Sequence, residues 1–163
     1  MIAVKDAVRL APWADVLYGA GLDGSSWWAR IGPTLQFNGL RYTLDPSARR
    51  WASVLGLGRI DGLSTDPSML AMGHHSGYQA INLAVLLGAA RVVLLGYDQQ
   101  TTGGKDHFFG AHWHGRRPPF DLFLSTFGGI VEPLRAAGVT VINASRETAL
   151  TAFPRRPLAE ALC

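Results

Sequence analysis

All five histidines of this chain fall in two short segments. The first is Gly73-His74-His75-Ser76-Gly77; the second is Lys105-Asp106-His107-Phe108-Phe109-Gly110-Ala111-His112-Trp113-His114. Imidazole is the side chain suited to proton transfer near neutral pH, so a histidine-rich loop is a candidate source of a general base. The same inventory could ligate a metal. Against that, His107-x4-His112-x-His114 matches no standard zinc spacing, and the one cysteine, Cys163, is the last residue. Each histidine could equally be a loop residue bonded to backbone, with Phe108, Phe109 and Trp113 anchoring the loop. Between the two segments stands Gly96-Tyr97-Asp98, directly after an apolar run. A carboxylate there can bind a ribose hydroxyl or a metal, act as a base, or only brace the following loop.

Gly73 and Gly77 allow close backbone approach, and free amides at a helix start favour an anion such as phosphate. Their spacing is neither a Walker loop nor the dinucleotide fingerprint, and a simple capping turn would use the same residues. In the N-terminal half, Asp23-Gly24 with Trp27-Trp28 sets a carboxylate beside aromatic rings. That group suits either a wall for stacking a base or sugar, or one core and one rim tryptophan.

The elements that must position these residues are clearest in the second half. Gly77 to Leu87 is apolar except for Gln79 and Asn82, with Ser76 in place as an N-cap and Gly88 as a stop: a helix. Arg91-Val-Val-Leu-Leu95 has the pattern of a strand buried on both faces of a parallel sheet. A helix from Phe120 to about Ala137 follows, bent or restarted at Pro133, then a buried strand from Val139 to Ile142. Two short helical pieces flank Pro154 and Pro157. Earlier, Ile2 to Val4, Asp15 to Tyr18, Arg41 to Leu44 and Arg59 to Ile60 read as strands, and Ser25 to Arg30 as a helical turn stopped by Gly32-Pro33. Helix and buried strand in alternation is the grammar of a single open α/β domain spanning residues 1–163. In such sheets ligands sit at the carboxyl ends of the strands.

Composition sets outer bounds. The chain has 163 residues, 48% of them hydrophobic, enough for a packed core and against a disordered or coiled-coil reading. The net charge of +3 comes from thirteen Arg and two Lys against twelve acids. The pairs Arg49-Arg50, Arg116-Arg117 and Arg155-Arg156 are dispersed and form no basic footprint, so nucleic acid is not the expected partner. An arginine pair beside a phosphate-bearing small ligand fits as well. No apolar run approaches the ~18 residues of a membrane span, and Lys5, Asp6 and Arg9 exclude a signal peptide at the start. The expectation is a soluble, cytoplasmic protein.

The run from Gly77 through Ala-Ile-Asn-Leu-Ala to Gly96-Tyr97-Asp98 resembles a group of tailed-phage and prophage proteins, the norphogenetic protein family. So do Ala11-Pro-Trp-Ala-Asp-Val-Leu-Tyr18 with Asp23 and Trp27-Trp28, and the ending Asn143-Ala-Ser-Arg-Glu-Thr-Ala-Leu150. More remotely, the layout is similar to bacterial CMP-sialic-acid sialyltransferases and to 6-hydroxymethylpterin diphosphokinase-like proteins. That resemblance implies a Rossmann-like open, mostly parallel sheet flanked by helices and lacking the usual first strand. It implies a nucleotide or nucleotide-sugar as ligand and no certain cofactor. Ser76-Gly77 would hold phosphate, with Gly73 and His75 in the same turn, and Asp98 beside Tyr97 would bind ribose or orient the base. His112, with His107 second, would deprotonate an acceptor, and Arg116 or Arg117 would clamp the leaving phosphate. Asp23, Trp27 and Asn143 complete the ligand-binding set. The competing expectation is a non-catalytic phage protein that binds a nucleotide-derived ligand, or a host or virion protein, with a homo-oligomer as a further arrangement.

Overall fold

Short apolar segments punctuated by turns become strands here, and every ladder between them is parallel. The structure, a computed structural model, describes residues 1–21, 27–110 and 117–163. Strands β1 (Ile2–Val4), β2 (Val16–Gly19), β3 (Leu40–Thr43) and β4 (Ser53–Val54) form one four-stranded sheet in that order. The chain then changes partner within a few residues. Leu55 N–H still donates to Thr43 O, whereas Gly56 N–H donates to Ser68 O, so β5 (Gly56–Leu57) pairs with β6 (Met69–Leu70). A third ladder joins β7 (Arg91–Leu94) to β8 (Thr140–Asn143). The architecture is an open, parallel α/β sheet flanked by helices, split into three ladders.

Four α-helices are described: α1 (Trp27–Ile31), α2 (Ser76–Leu86), α3 (Phe120–Ala136) and α4 (Leu158–Ala161). Helix α2 is the central one, because both of its sides are apolar. Ala80 and Leu83 pack with Val16, Tyr18, Leu44 and Leu70 of the N-terminal sheet. Tyr78 and Ile81 pack with Leu94, Phe127, Ile130 and Val141 of the C-terminal half. Its two buried polar residues are braces. Asn82 Oδ1 accepts from Ser64 N–H and Ala71 N–H, both at 2.9 Å, while its Nδ2 donates to Ser64 O. Gln79 Nε2 donates to Met72 O at 2.7 Å, and its Oε1 accepts from Tyr18 Oη at 2.8 Å. The far face of the four-stranded sheet is closed by Trp27, Trp28, Phe37 and Ala48.

Several expectations are corrected. The N-cap of α2 is His75, not Ser76, which is already helical. Strand β7 is not buried on both faces: Arg91 and Leu95 are exposed and Val92 and Val93 half-buried. Neighbours decide that, not the strand's own residues. The short strand of that region is Gly56–Leu57, while Arg59–Ile60 is a loop bonded to Met72 and Gly73 N–H. Helix α3 continues through Pro133 and does not restart there. Beyond β8 one helix forms after Pro157, and the Pro154 region instead bridges back through Arg155 to Asn143. Of the turn expected at Ser25 to Arg30, the described part, from Trp27, is helical.

Candidate functional site

Because the strands are parallel, their carboxyl ends gather on one edge, and α2 fixes which edge that is. Tyr97, just past β7, donates its phenol to Gly77 O at 2.9 Å in the first turn of α2. Tyr18 in β2 reaches Gln79 of the same helix, and β6 leads into that helix through Ala71 to His75. Gly19–Gly21, Asp45, Met72–His75 and Gly96–Asp98 therefore belong to one rim.

His75 organises that rim. Its Nδ1 accepts from Gly77 N–H at 3.2 Å and Tyr78 N–H at 3.4 Å, consuming two of the amides that a helix start leaves without partners. An imidazole that accepts at Nδ1 is neutral and carries its proton on Nε2. The ring lies 4.7 Å from that of Phe123 and 4.8 Å from that of Phe127. This apolar enclosure, with His74 adding charge repulsion, pulls its pKa down to about 4. His75 is thus a locked cap, and its lone pair is unavailable for general-base work. The Gly77 amide, expected to meet phosphate, is committed to His75. Gly77 itself is bare because a Cβ would lie 2.9 Å from the Tyr97 ring and 3.1 Å from the His75 ring. Gly73 is bare for a similar reason: at φ +49° its Cβ would fall 2.0 Å from the Tyr78 ring.

Asn143 and Tyr97 belong to a second lock. Asn143 is fully buried at the end of β8; its Oδ1 accepts from Ser145 N–H at 3.0 Å and its Nδ2 donates to Thr148 Oγ1 at 3.1 Å. Ser145 Oγ in turn accepts from Tyr97 N–H at 2.7 Å, and Thr148 Oγ1 donates to Tyr97 O at 2.7 Å. The polar residues between Asn143 and Thr148 thereby hold the exit of β7 in place. Burial raises the Tyr97 phenol far above its ordinary range, so it stays a donor. These internal bonds give Tyr97 and Asn143 a positioning role at the exit of β7.

Asp98 follows Tyr97 and is partly buried. Its pKa is raised, chiefly by desolvation and also by Glu147, against a hydrogen bond from Thr102 that lowers it. Beyond it, Thr102 and Lys105 close a tight turn by exchanging two backbone bonds, and Asp106 accepts from Thr101 Oγ1 and lies 3.7 Å from Arg117. Arg117, with Thr101, Pro118, Pro119, Phe120 and Asp121, lines a concavity of about 260 Å³. His107 stacks on Phe109 at 4.9 Å with the planes 8° apart, while Phe108 and Phe109 are exposed and do not anchor the loop in the core. His112, Asp23 and Arg116 lie outside the described residues.

Trp27 is corrected from a stacking wall to a core residue. It is 3% exposed and its indole N–H donates to Asp6 Oδ2 at 3.0 Å, while Trp28 N–H donates to Gly19 O at 2.9 Å. Two rim residues escaped sequence reasoning. Asp45, 8% exposed just past β3, caps the next turn by accepting from Ser47 N–H and Oγ through Oδ1. Gln99 has φ +51°, and its Oε1 is buried without a partner among the described residues, as is His75 Nε2. Only their places in the turns that follow β3 and β7 could have signalled them.

Backbone strain sits on the same rim. The non-glycine residues with positive φ among those described are Lys5 after β1, His74 after β6 and Gln99 after β7. Left-handed backbone at non-glycine residues costs of order 1–3 kcal/mol and gathers at ligand clamps and active sites. No group of three or more metal-ligating side chains occurs among the described residues, and none of their helices is long and apolar enough to cross a membrane. Comparison with family models, curated proteins and solved structures finds no match for the chain.

Proposed function

We propose that the strand-end rim binds a nucleotide or nucleotide-sugar, in a protein of phage type. The observation that carries this reading is the convergence of strain and unspent hydrogen-bonding capacity. Three left-handed non-glycine residues and the buried atoms Gln99 Oε1 and His75 Nε2 lie on one edge of a parallel sheet. Buried polar atoms without protein partners call for a ligand or ordered water. Asp98, whose pKa desolvation raises, offers a carboxyl group to a hydroxyl or base edge. In a transferase-like version the general base comes from His107 or His112, since His75 is locked, and Arg116 or Arg117 offsets charge on the leaving phosphate. Acting in a phage-infected cell, the protein would work in the host cytoplasm.

A second reading, binding without transfer, is favoured by the commitment of the Gly77 and Tyr78 amides to His75, which removes two donors from a phosphate seat. One experiment separates the two. The purified protein is heated with CMP, UDP and their sugar conjugates, alongside His112→Ala and Asp98→Asn. A ligand at a hundred times its dissociation constant adds about 2.7 kcal/mol of stability. The reading expects a shift that Asp98→Asn weakens; turnover lost in His112→Ala with binding intact assigns the base. No shift with any nucleotide overturns it.

A further inference from the structure

We propose that the cavity between the loop after β5 and helix α3 binds a free α-amino acid with an aliphatic side chain. The cavity measures about 320 Å³ and is lined by Arg59, Asp61, Gly62, Leu63, Gly129 and Pro133, none of which the nucleotide reading uses. Small-molecule sites run from about 300 to 1,000 Å³, so this one suits a molecule of amino-acid size better than a nucleotide-sugar.

Its charges are anchored and left open. Arg59 and Asp61 are exposed, carry opposite charge and stand two residues apart, yet neither enters an ion pair among the described residues. The backbone around them is pinned. Arg59 O accepts from Met72 N–H and Ile60 O from Gly73 N–H, each at 2.8 Å, and Gly62 O accepts from Tyr78 Oη at 2.8 Å. Asp61 abuts α3, its Cβ 3.1 Å from where a Cβ would stand on Gly129. A guanidinium and a carboxylate held on one concavity without neutralising each other suit a ligand that carries both charges.

Helix α3 adds an acceptor. A helix carbonyl accepts from the N–H four residues on, and Pro133 has none to give to Gly129 O. Gly129 has no side chain to screen that carbonyl. Next to the Asp61 carboxylate it makes a second acceptor for an ammonium group, which has several N–H donors to satisfy. Arg59 then takes the ligand carboxylate, for which its planar fork is suited. Leu63 and Pro133 supply an apolar wall for the side chain. A zwitterion with an aliphatic group meets all three surfaces, whereas a purely anionic ligand would meet repulsion from Asp61.

The test is amide NMR of the full chain titrated with L-leucine, with L-leucinamide, which lacks the carboxylate, and with isocaproate, which lacks the ammonium. L-Leucine should move the signals of Gly62, Leu63 and Gly129 to saturation while those of Gly96 and Asp98, on the strand-end rim, stay fixed. Each single-charge analogue should bind about tenfold or more weakly. Asp61→Asn should remove the preference for L-leucine over isocaproate, and Arg59→Gln the preference over L-leucinamide. Both side chains are exposed, so the fold should tolerate either change. Absence of a saturable shift with L-leucine at ~10 mM overturns the proposal. So do equal affinities for the three ligands, and so does a preference that survives both substitutions.

Discussion

His75 is at once a helix cap and a buried titratable group, which couples the first turn of α2 to pH. In the folded chain its pKa is about 4, against an ordinary 6.5, because burial disfavours the cation. Above pH 6.5 both folded and unfolded forms are neutral and the cap's contribution is complete. As pH falls from 6.5 toward 4 the unfolded chain binds a proton that the folded chain refuses, so stability is lost across that window. The gap corresponds to roughly 3 kcal/mol. Denaturant midpoints measured between pH 7 and pH 4 should therefore fall, and His75→Asn, which keeps a capping acceptor but does not titrate, should flatten this part of the decline. An equally steep decline in His75→Asn would show that other groups carry it. Gly73 makes the companion case for sterics. Alanine there must hold φ +49° and place its Cβ inside the Tyr78 ring, so Gly73→Ala should cost about 4 kcal/mol or more and leave little soluble protein.

At the scale of elements, the ends of α2 follow different physics. Its C-terminus closes through Gly88 at φ +89°, with Gly88 N–H on Val85 O and Ala89 N–H on Ala84 O. Nothing lies within 4 Å of a Cβ at Gly88, so Gly88→Ala should cost only the conformational penalty, about 1 kcal/mol, in contrast to Gly73→Ala. Equal losses at the two sites by thermal unfolding would refute the steric account of Gly73. Such ends were legible in the sequence because a long apolar run and a following glycine leave few alternatives. The cap was not, since serine is the common choice and only the three-dimensional reach of His75 Nδ1 displaces it. Strand β7 was legible as a strand but not in its burial, which depends on what lies beside it. The site divides likewise. Gly73, Gly77, Tyr97 and Asn143 were read as ligand-binding positions, and the structure places internal packing and hydrogen bonds at each of them. Asp45 and Gln99 carry no local pattern and emerge only from their place at the rim.

For the whole molecule, the question is what makes two halves with separate ladders one cooperative unit. Helix α2 is expected to do so, because it buries apolar residues on both sides, and the polar joint to the N-terminal sheet is the Tyr18–Gln79–Met72 relay. Tyr18 is fully buried, and desolvation raises its phenol far above the ordinary range, so it donates at every accessible pH. Gln79, 2% exposed, is its acceptor. Tyr18→Phe leaves one acceptor unpaired and should cost about 1–2 kcal/mol; Gln79→Met strands both the Tyr18 hydroxyl and Met72 O and should cost about 2–4 kcal/mol. Because the residues touch, the double variant should be less damaging than the sum by about 1 kcal/mol. The readouts should be the fluorescence of Trp27 and Trp28, in the N-terminal core, and amide exchange in α3 and β8, in the other half. If α2 unites the molecule, Gln79→Met lowers both transitions together. A fluorescence transition that moves while exchange in α3 stays fixed would mean that the halves unfold separately, and that α2 belongs to only one of them.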